Sequence, residues 1–294
     1  MSSEEGYGTI IIGGGQAGLA AGYYLRQRKE NFIILDENTQ TGSSWRSRWD
    51  SLRLFTPSQN NSLPGMNFPA PDFYFPTKDE AADYLEAYTR QFELPVRFGI
   101  RVDSLQRNER GYRLSAGESS FHAQNVIIAT GAFRIPYTPS LARALSTDIF
   151  QMHSVDYRNP SDVPVNYVLV VGAGNSGVEI ALELAKAGKK TWLAGRSVGR
   201  IPANTLGRFL GGKPYWWFIH HVMTVNTPLG RRMKARTHSH GDPLIRTRRE
   251  DVASAGVNLL PRLVASNHEI PHTEDGCVIA AESIIWATGF RPDY

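Results

Sequence analysis

Two stretches of this 294-residue sequence carry glycines at a spacing that can hold a phosphate. Gly13, Gly15 and Gly18 of GGGQAG fit G-x-G-x-x-G, and Gly172, Gly174 and Gly177 of GAGNSG fit it again. The first glycine of such a pattern permits a tight turn. The second lets backbone approach a pyrophosphate, and the third lets a helix lie close to a strand. The helix N-terminus then offers free N–H groups and partial positive charge to the anion. The flanks fit this reading. TIII precedes the first turn, LAAGYYLRQ continues it, and FIILD follows, ending in Asp36 at the distance expected for a ribose contact. YVLVV precedes the second turn and VEIALELAKAG continues it. Two strand–turn–helix units imply a protein that brings two dinucleotides together.

Other elements must position these turns. After the polar turn ENTQTGSS, the sequence from Trp45 to Thr77 is rich in Pro, Asn and aromatic residues without a period, the mark of a segment that forms or covers a site. Thr77 to Glu80, T-K-D-E, is a capping box opening a helix to about Phe92, with Ala81, Leu85 and Tyr88 on one face. VRFGIRVDSLQRN, GYRLSAG and SSFHAQNVIIATG predict a small β-meander. The proline-bearing connection from Ala132 to Val165 predicts a crossing between domains. A strand is expected at Thr191–Ala194. The aromatic stretch Gly211 to Val225 contains YWWF at Tyr215–Phe218, which could line an entrance or touch a membrane. Packing of an insertion is the simpler expectation. The basic run Arg231 to Arg249 reads as a solvated face, with no interleaved stacking motif for nucleic acid.

Composition narrows the class. Hydrophobic residues make up 41%, enough for a sizeable core, and the net charge of +4 suits anionic cofactors without demanding nucleic acid. Cys277 is the single cysteine, which excludes an internal disulfide and a C-x-x-C redox pair. His220–His221 and His238–His240 have no Cys or acid cluster to complete a metal site, so no metal is expected. The start, MSSEEGYG, lacks an apolar h-region, and no stretch approaches a membrane span. The expectation is a soluble cytoplasmic protein.

The ordered set GGGQAG, WRSRWDSLRLFTP, ATGAFRIP, HSVDYRNP, GAGNSG and ATGFRPD resembles the bacterial CzcO-like branch of the flavin-containing monooxygenases, related to the plant YUCCA enzymes. The resemblance covers nearly the whole sequence. It implies an α/β fold with two dinucleotide-binding Rossmann-type domains, the NADPH domain inserted into the FAD domain. Residues 1–155 and 285–294 would bind FAD, and 156–284 NADPH. Gly13, Gly15, Gln16, Ala17 and Gly18 resemble the FAD pyrophosphate turn, and Asp36 the acid on the adenosine ribose. Trp45 and Arg46 match the Trp-Arg pair against the flavin, with Thr56 nearby, and Val102 matches a backbone contact to adenine. Gly172, Gly174, Asn175, Ser176 and Gly177 resemble the NADPH pyrophosphate turn. Ala129, Thr130 and Gly131, with Ala287, Thr288 and Gly289, resemble the strands that connect the two domains.

Arg196 follows the second strand of the second unit, where an NAD site would carry an acid. A guanidinium there can pair with a 2′-phosphate, and Ser197 can add a hydroxyl. The implied activity is NADPH-dependent flavin monooxygenation. Hydride passes to FAD, O2 is activated as a C4a-(hydro)peroxyflavin, and one oxygen goes to a small organic substrate. The alternative is an NADPH-dependent reductase or oxidase that passes electrons to a protein or quinone, or to O2 giving H2O2. A nucleotide-binding regulator without turnover is a third class. Asn60, Asn61 and His153 are the catalytic candidates. The sequence departs from the family at Thr147 and Ile149, which replace the F and G of F-x-G-x-x-x-H, and at Pro57, where relatives carry an asparagine. It also stops at Tyr294 while the family continues, so a C-terminally truncated FAD domain is expected.

Overall fold

The isoleucine run before the first glycine turn is strand β1 (Glu5–Ile12), and the turn leads into helix α1 (Gln16–Gln27) and strand β2 (Phe32–Leu35). All of β2 is buried, with Ile10 and Ile11 of β1, as a parallel strand covered on both faces must be. These elements belong to a computed structural model that describes residues 5–199, 213–240, 243–264 and 269–291. The chain divides into two units, the first ending at Arg134 and the second running Ile135–Arg291.

In the first unit the irregular segment holds one helical turn, α2 (Ser43–Arg46), and a 3-10 turn at Ser58–Asn60. Helix α3 (Lys78–Gln91) starts at the expected capping box, with both reciprocal bonds of Thr77 and Glu80 present. Ala81, Leu85 and Tyr88 form the expected buried face, joined by Tyr84. Two of these tyrosines anchor the irregular segment. The Tyr84 hydroxyl accepts from Leu63 N–H and donates to the Met66 carbonyl, both at 2.7 Å. The Tyr88 hydroxyl donates to the Pro64 carbonyl at 2.7 Å.

Four further strands complete the unit: β3 (Val96–Arg97), β4 (Ser104–Asn108), β5 (Gly111–Ala116) and β6 (Ser119–Ile128). The sheet order is β3-β2-β1-β6-β5-β4. The expected meander exists as β4-β5-β6, antiparallel throughout. Its first piece is not one strand: Val96–Arg97 pairs parallel with β2, and Gly99 with φ +71° turns the chain away. Strand β6 also runs parallel to β1, Phe121 to Ile128 against Glu5 to Ile12.

The second unit repeats the plan. Its five-stranded sheet has order β11-β10-β9-β14-β8, all parallel, from β8 (Phe150–His153), β9 (Tyr167–Val171), β10 (Lys190–Ala194), β11 (Asn258–Leu260) and β14 (Ser283–Trp286). Helix α4 (Asn175–Lys186) connects β9 to β10. Helices α5 (Lys213–His221), α6 (Pro228–His240) and α7 (Arg249–Ser254) follow. Two small antiparallel pairs remain: β7 (Ile135–Pro136) with β15 (Phe290–Arg291), and β12 (Leu263–Val264) with β13 (His272–Thr273). The boundaries expected at 155/156 and 284/285 fall within this second unit. They cut β8 and part of β14 from a sheet in which β14 pairs with both β8 and β9. FQMH of β8 is short and mixed in polarity, so no strand pattern marked it in the sequence.

Candidate functional site

The two glycine turns share one backbone geometry. Gly13 has φ +108° and Gly172 φ +116°, conformations open to glycine. A Cβ at either would also strike a carbonyl, that of Ala129 in the first turn and of Ala287 in the second. Each A-T-G segment therefore closes the turn of its own unit. Ala129 N–H donates to the Ile12 carbonyl and Ala287 N–H to the Val171 carbonyl, both at 2.8 Å. Gly18 and Gly177 press against the carbonyls of Gly13 and Gly172. Gly15 and Gly174 are different: apart from their chain neighbours, no atom of the described residues lies within 4 Å of a Cβ built there. Packing does not require glycine at these two positions, so the space over them fits a ligand brought close to the backbone.

The helix ends agree. Neither α1 nor α4 has a side-chain cap or an acid in its first turn, whereas α3 has its full capping box. The first N–H groups of α1 and α4 are left for an anion, and the helix dipole favours one. Gln16 and Ala17 at the start of α1 are exposed, and Asn175 and Ser176 at the start of α4 are partly so.

Beyond the backbone the turns diverge. Asp36 after β2 is buried, and its Oδ2 accepts from Gly14 N–H at 2.5 Å. Its Oδ1 accepts from the backbone and side-chain N–H of Asn38 at 2.8 and 2.7 Å. The expected ribose acid is thus also a brace for the turn. In the second unit the corresponding residue is Gly195, where a Cβ would crowd the backbone nitrogen of Ala173. Arg196 and Ser197 follow, both exposed, and Arg196 has no ion-pair partner among the described residues. A strap supports this turn instead. Asn175 Nδ2 donates to the Pro243 carbonyl at 3.3 Å, and Leu244 N–H donates to the Gly199 carbonyl at 3.0 Å. Arg246 forks onto Glu179 of α4, Nε to Oε1 at 3.1 Å and Nη2 to Oε2 at 2.8 Å, with the Thr247 hydroxyl at 3.4 Å. Burial pushes the Glu179 carboxyl above its ordinary range, and the Arg246 guanidinium opposes that shift. Arg246 therefore leaves the solvated basic face expected for 231–249, and Arg248 is paired with Asp251 at 2.9 Å. The sequence reading missed this strap; the one local signal was glycine, not an acid, ahead of Arg196.

Among the described residues, four buried side-chain polar atoms have no hydrogen-bond partner. Three are Arg46 Nε, Asn60 Nδ2 and Thr130 Oγ1; the fourth, Ser283 Oγ, lies in β14. The first three belong to residues expected at the flavin, and buried polar atoms normally find partners. This fits a polar ring system in the first unit. The candidates near the 3-10 turn separate. The Thr56 hydroxyl donates to Asn61 Oδ1, and Asn61 Nδ2 donates back to the Thr56 carbonyl at 3.1 Å. Asn61 and Thr56 are thus committed to each other, while Asn60 keeps an unmet amide. Trp45 packs on the core of β1, α1 and α3, and Val102 on the opposite face of the sheet.

His153 is a clamp. Its Nδ1 accepts from Val155 N–H at 3.1 Å, so Nε2 carries the proton and donates to the Gly289 carbonyl at 3.1 Å. The ring meets Phe290 edge-on, with centroids 5.1 Å apart. The Thr288 hydroxyl donates to the Tyr137 carbonyl, and Tyr137 N–H to the Gly289 carbonyl at 2.9 Å. Both ring nitrogens of His153 are engaged at the second A-T-G segment. No group of three or more His, Cys, Asp and Glu converges among the described residues; the side chains of His220, His238 and His240 lie outside them.

These features meet in one protein family. The profile described as pyridine nucleotide-disulphide oxidoreductase matches residues 10–204. The chain belongs to this family. An uncharacterised CzcO-like oxidoreductase of Geobacillus kaustophilus is 36% identical over 97% of this chain and 81% of its own length. A probable indole-3-pyruvate monooxygenase of Arabidopsis thaliana, YUCCA9, is 26% identical over 99% of this chain and 79% of its own. A flavin-containing monooxygenase from Stenotrophomonas maltophilia superposes with a TM-score of 0.78 at 28% identity, covering 98% of this chain and 79% of that one. The chain is an oxidoreductase with the two Rossmann-type units of this family, in its CzcO-like branch.

Proposed function

We propose that this chain is an NADPH-dependent flavoprotein monooxygenase that transfers one oxygen atom of O2 to a small organic substrate. FAD is the cofactor of the first turn and NADPH of the second. The observation that carries this reading is the divergence after two equal turns: Asp36 in the first unit, Gly195 and Arg196 in the second. An acid suits ribose hydroxyls, and a free guanidinium suits a 2′-phosphate.

Bound FAD supplies the redox chemistry, taking hydride from NADPH and passing electrons to O2. The chain's part is to hold and shield. The N–H groups around Gly13 to Gly18 hold the pyrophosphate, and Asp36 Oδ2, with one protein donor, keeps a lone pair for a ribose hydroxyl. Arg46, Asn60 and Thr130 offer their unmet polar atoms to the flavin. Arg196 and Ser197 hold the 2′-phosphate, and the His153 clamp keeps Ala287–Gly289 closed on the second turn. Nitrogen and sulfur centres are nucleophilic enough to need no protein base, so no proton transfer is assigned to a side chain.

The test is turnover of the FAD-loaded protein with NADPH and ¹⁸O2 across amines, sulfides and ketones. Oxygen-18 in an organic product supports the reading. NADPH consumption matched by H2O2, with no oxygenated product across the panel, replaces it with an oxidase or with a reductase for a protein or quinone. Cys277 alone cannot form a dithiol relay within these 294 residues.

A further inference from the structure

In the aromatic stretch expected to pack as an insertion, several of the described large apolar side chains are exposed. Trp217 and Phe218 of α5 are 58% and 41% exposed. Val225 in the following turn is 55% exposed, and Leu229 and Met233, one helical turn apart on α6, are 44% and 39% exposed. These five large apolar side chains fall within seventeen consecutive residues. The turn between the helices is well made. The Thr227 hydroxyl donates to the Val222 carbonyl at 2.5 Å and accepts from Gly230 N–H at 3.0 Å, and Gly230 sits against the Thr224 carbonyl. The connection between α5 and α6 is therefore fixed while their apolar residues face water.

Charge is segregated onto the same part of the chain. From Leu184 to Gly241 there is no Asp or Glu, and there are eleven Lys and Arg. The chain as a whole carries only +4, so everything outside this span is net negative. Arg231, Arg232 and Lys234 are exposed beside Leu229 and Met233. Exposed Trp, Phe, Leu and Met interleaved with cations, without an acid, match the chemistry of a helix that lies in a lipid interface. Tryptophan favours that depth, and Lys and Arg gain from an anionic leaflet.

We infer that α5 and α6 form a docking surface for an anionic lipid bilayer, which holds the protein peripherally. No helix among the described residues is long and apolar enough to cross a membrane, so the contact is interfacial. A second copy of the chain is a poorer occupant, because it would set the exposed Arg231, Arg232 and Lys234 of one copy against those of the other. Nucleic acid is poorer too, because its phosphates reward the cations and leave Val225, Leu229 and Met233 in water. The inference is independent of the reaction assigned above.

The experiment is flotation of the FAD-loaded full chain with vesicles of equimolar phosphatidylglycerol and phosphatidylcholine, or of phosphatidylcholine alone. Binding to the anionic vesicles should be at least about ten-fold stronger and should weaken with salt. Trp217→Ala with Phe218→Ala should lower it about ten-fold, and Arg231→Glu with Arg232→Glu should erase the preference for the anionic lipid. A brominated phosphatidylglycerol should quench the tryptophan fluorescence of the wild type and do so less in Trp217→Phe, a readout that does not depend on the double variants folding. Equal binding to both vesicles, or to neither, overturns the inference. So does anionic binding with no bromolipid quenching, which points to a polyanion. A concentration-dependent dimer abolished by Trp217→Ala with Phe218→Ala would assign the surface to a second copy and overturn it as well.

Discussion

The first and second glycine turns have the same backbone and different supports. In the first, Asp36 reaches back from the end of β2 to brace Gly14, and the next residue, Glu37, is held by Arg134 at 3.2 Å. In the second, Gly195 offers no side chain, Arg196 is left exposed, and the bracing comes from a strap 67 residues along the chain from its partner on α4. The backbone of such a turn sets that a pyrophosphate binds. In the proposed function, the residues just after the second strand set which nucleotide carries it. Where the acid is absent, Arg196 is exposed and the second turn is braced by the Pro243–Arg246 strap instead.

The strongest way to break the comparison is to fill each cradle in turn. Gly15→Val and Gly174→Val put a side chain where, among the described residues, only chain neighbours lie within 4 Å, so the folded state should tolerate both. Gly15→Val should lose FAD on purification while still binding NADPH. Gly174→Val should keep its yellow colour and lose NADPH-driven turnover by at least about a hundred-fold, the scale of mispositioning one reactant. Absorbance of the purified variants and NADPH titration check both. A fully yellow Gly15→Val would end the assignment of the first turn to FAD.

Removing the strap's cation should sharpen the asymmetry. Arg246→Met leaves the Glu179 carboxylate buried without its partner, at a cost of about 3 kcal/mol. Chemical denaturation should show that loss, with weakened NADPH binding and unchanged FAD stoichiometry at concentrations where the variant is folded. Arg196→Glu acts on recognition alone. Losing a charge-assisted bond costs about 1.5–3 kcal/mol, so the NADPH over NADH preference in KM should fall roughly ten- to hundred-fold. An unchanged preference contradicts the 2′-phosphate role.

The smallest effect is a slope. Burial raises the Glu179 carboxyl above its ordinary 4.5, so in the window above that pH the native state holds a proton that the unfolded chain has released. Stability should therefore fall as pH rises through this window in the wild type. Glu179→Gln should remove that fall, read as urea midpoints against pH; an equal slope in both proteins would show that Glu179 does not set it.

Features carried by local spacing were legible in the sequence: the two turns, β2 with Asp36, the capping box at Thr77 and the buried face Ala81, Leu85 and Tyr88. Their causes lie within a few residues. The strap was not legible, because the Arg246–Glu179 pair joins distant positions and looks from the sequence like one more basic residue in a run. Asn60 and Asn61 were indistinguishable as neighbours until the Thr56 bonds separated them. The exposure of Trp217 and Phe218 also escaped, since composition alone makes an aromatic run look like core. The short β8, with its mixed residues, became a strand only through its pairing with β14.

The central claim is that the two turns hold different nucleotides that exchange electrons. Anaerobic addition of NADPH to the FAD-loaded chain, followed by visible absorbance, tests it most directly. The account predicts loss of the oxidised-flavin spectrum with about one equivalent of NADPH, much slower loss with NADH, and none in Gly174→Val. A flavin spectrum unchanged by NADPH, or bleached as fast in Gly174→Val as in the wild type, would contradict it.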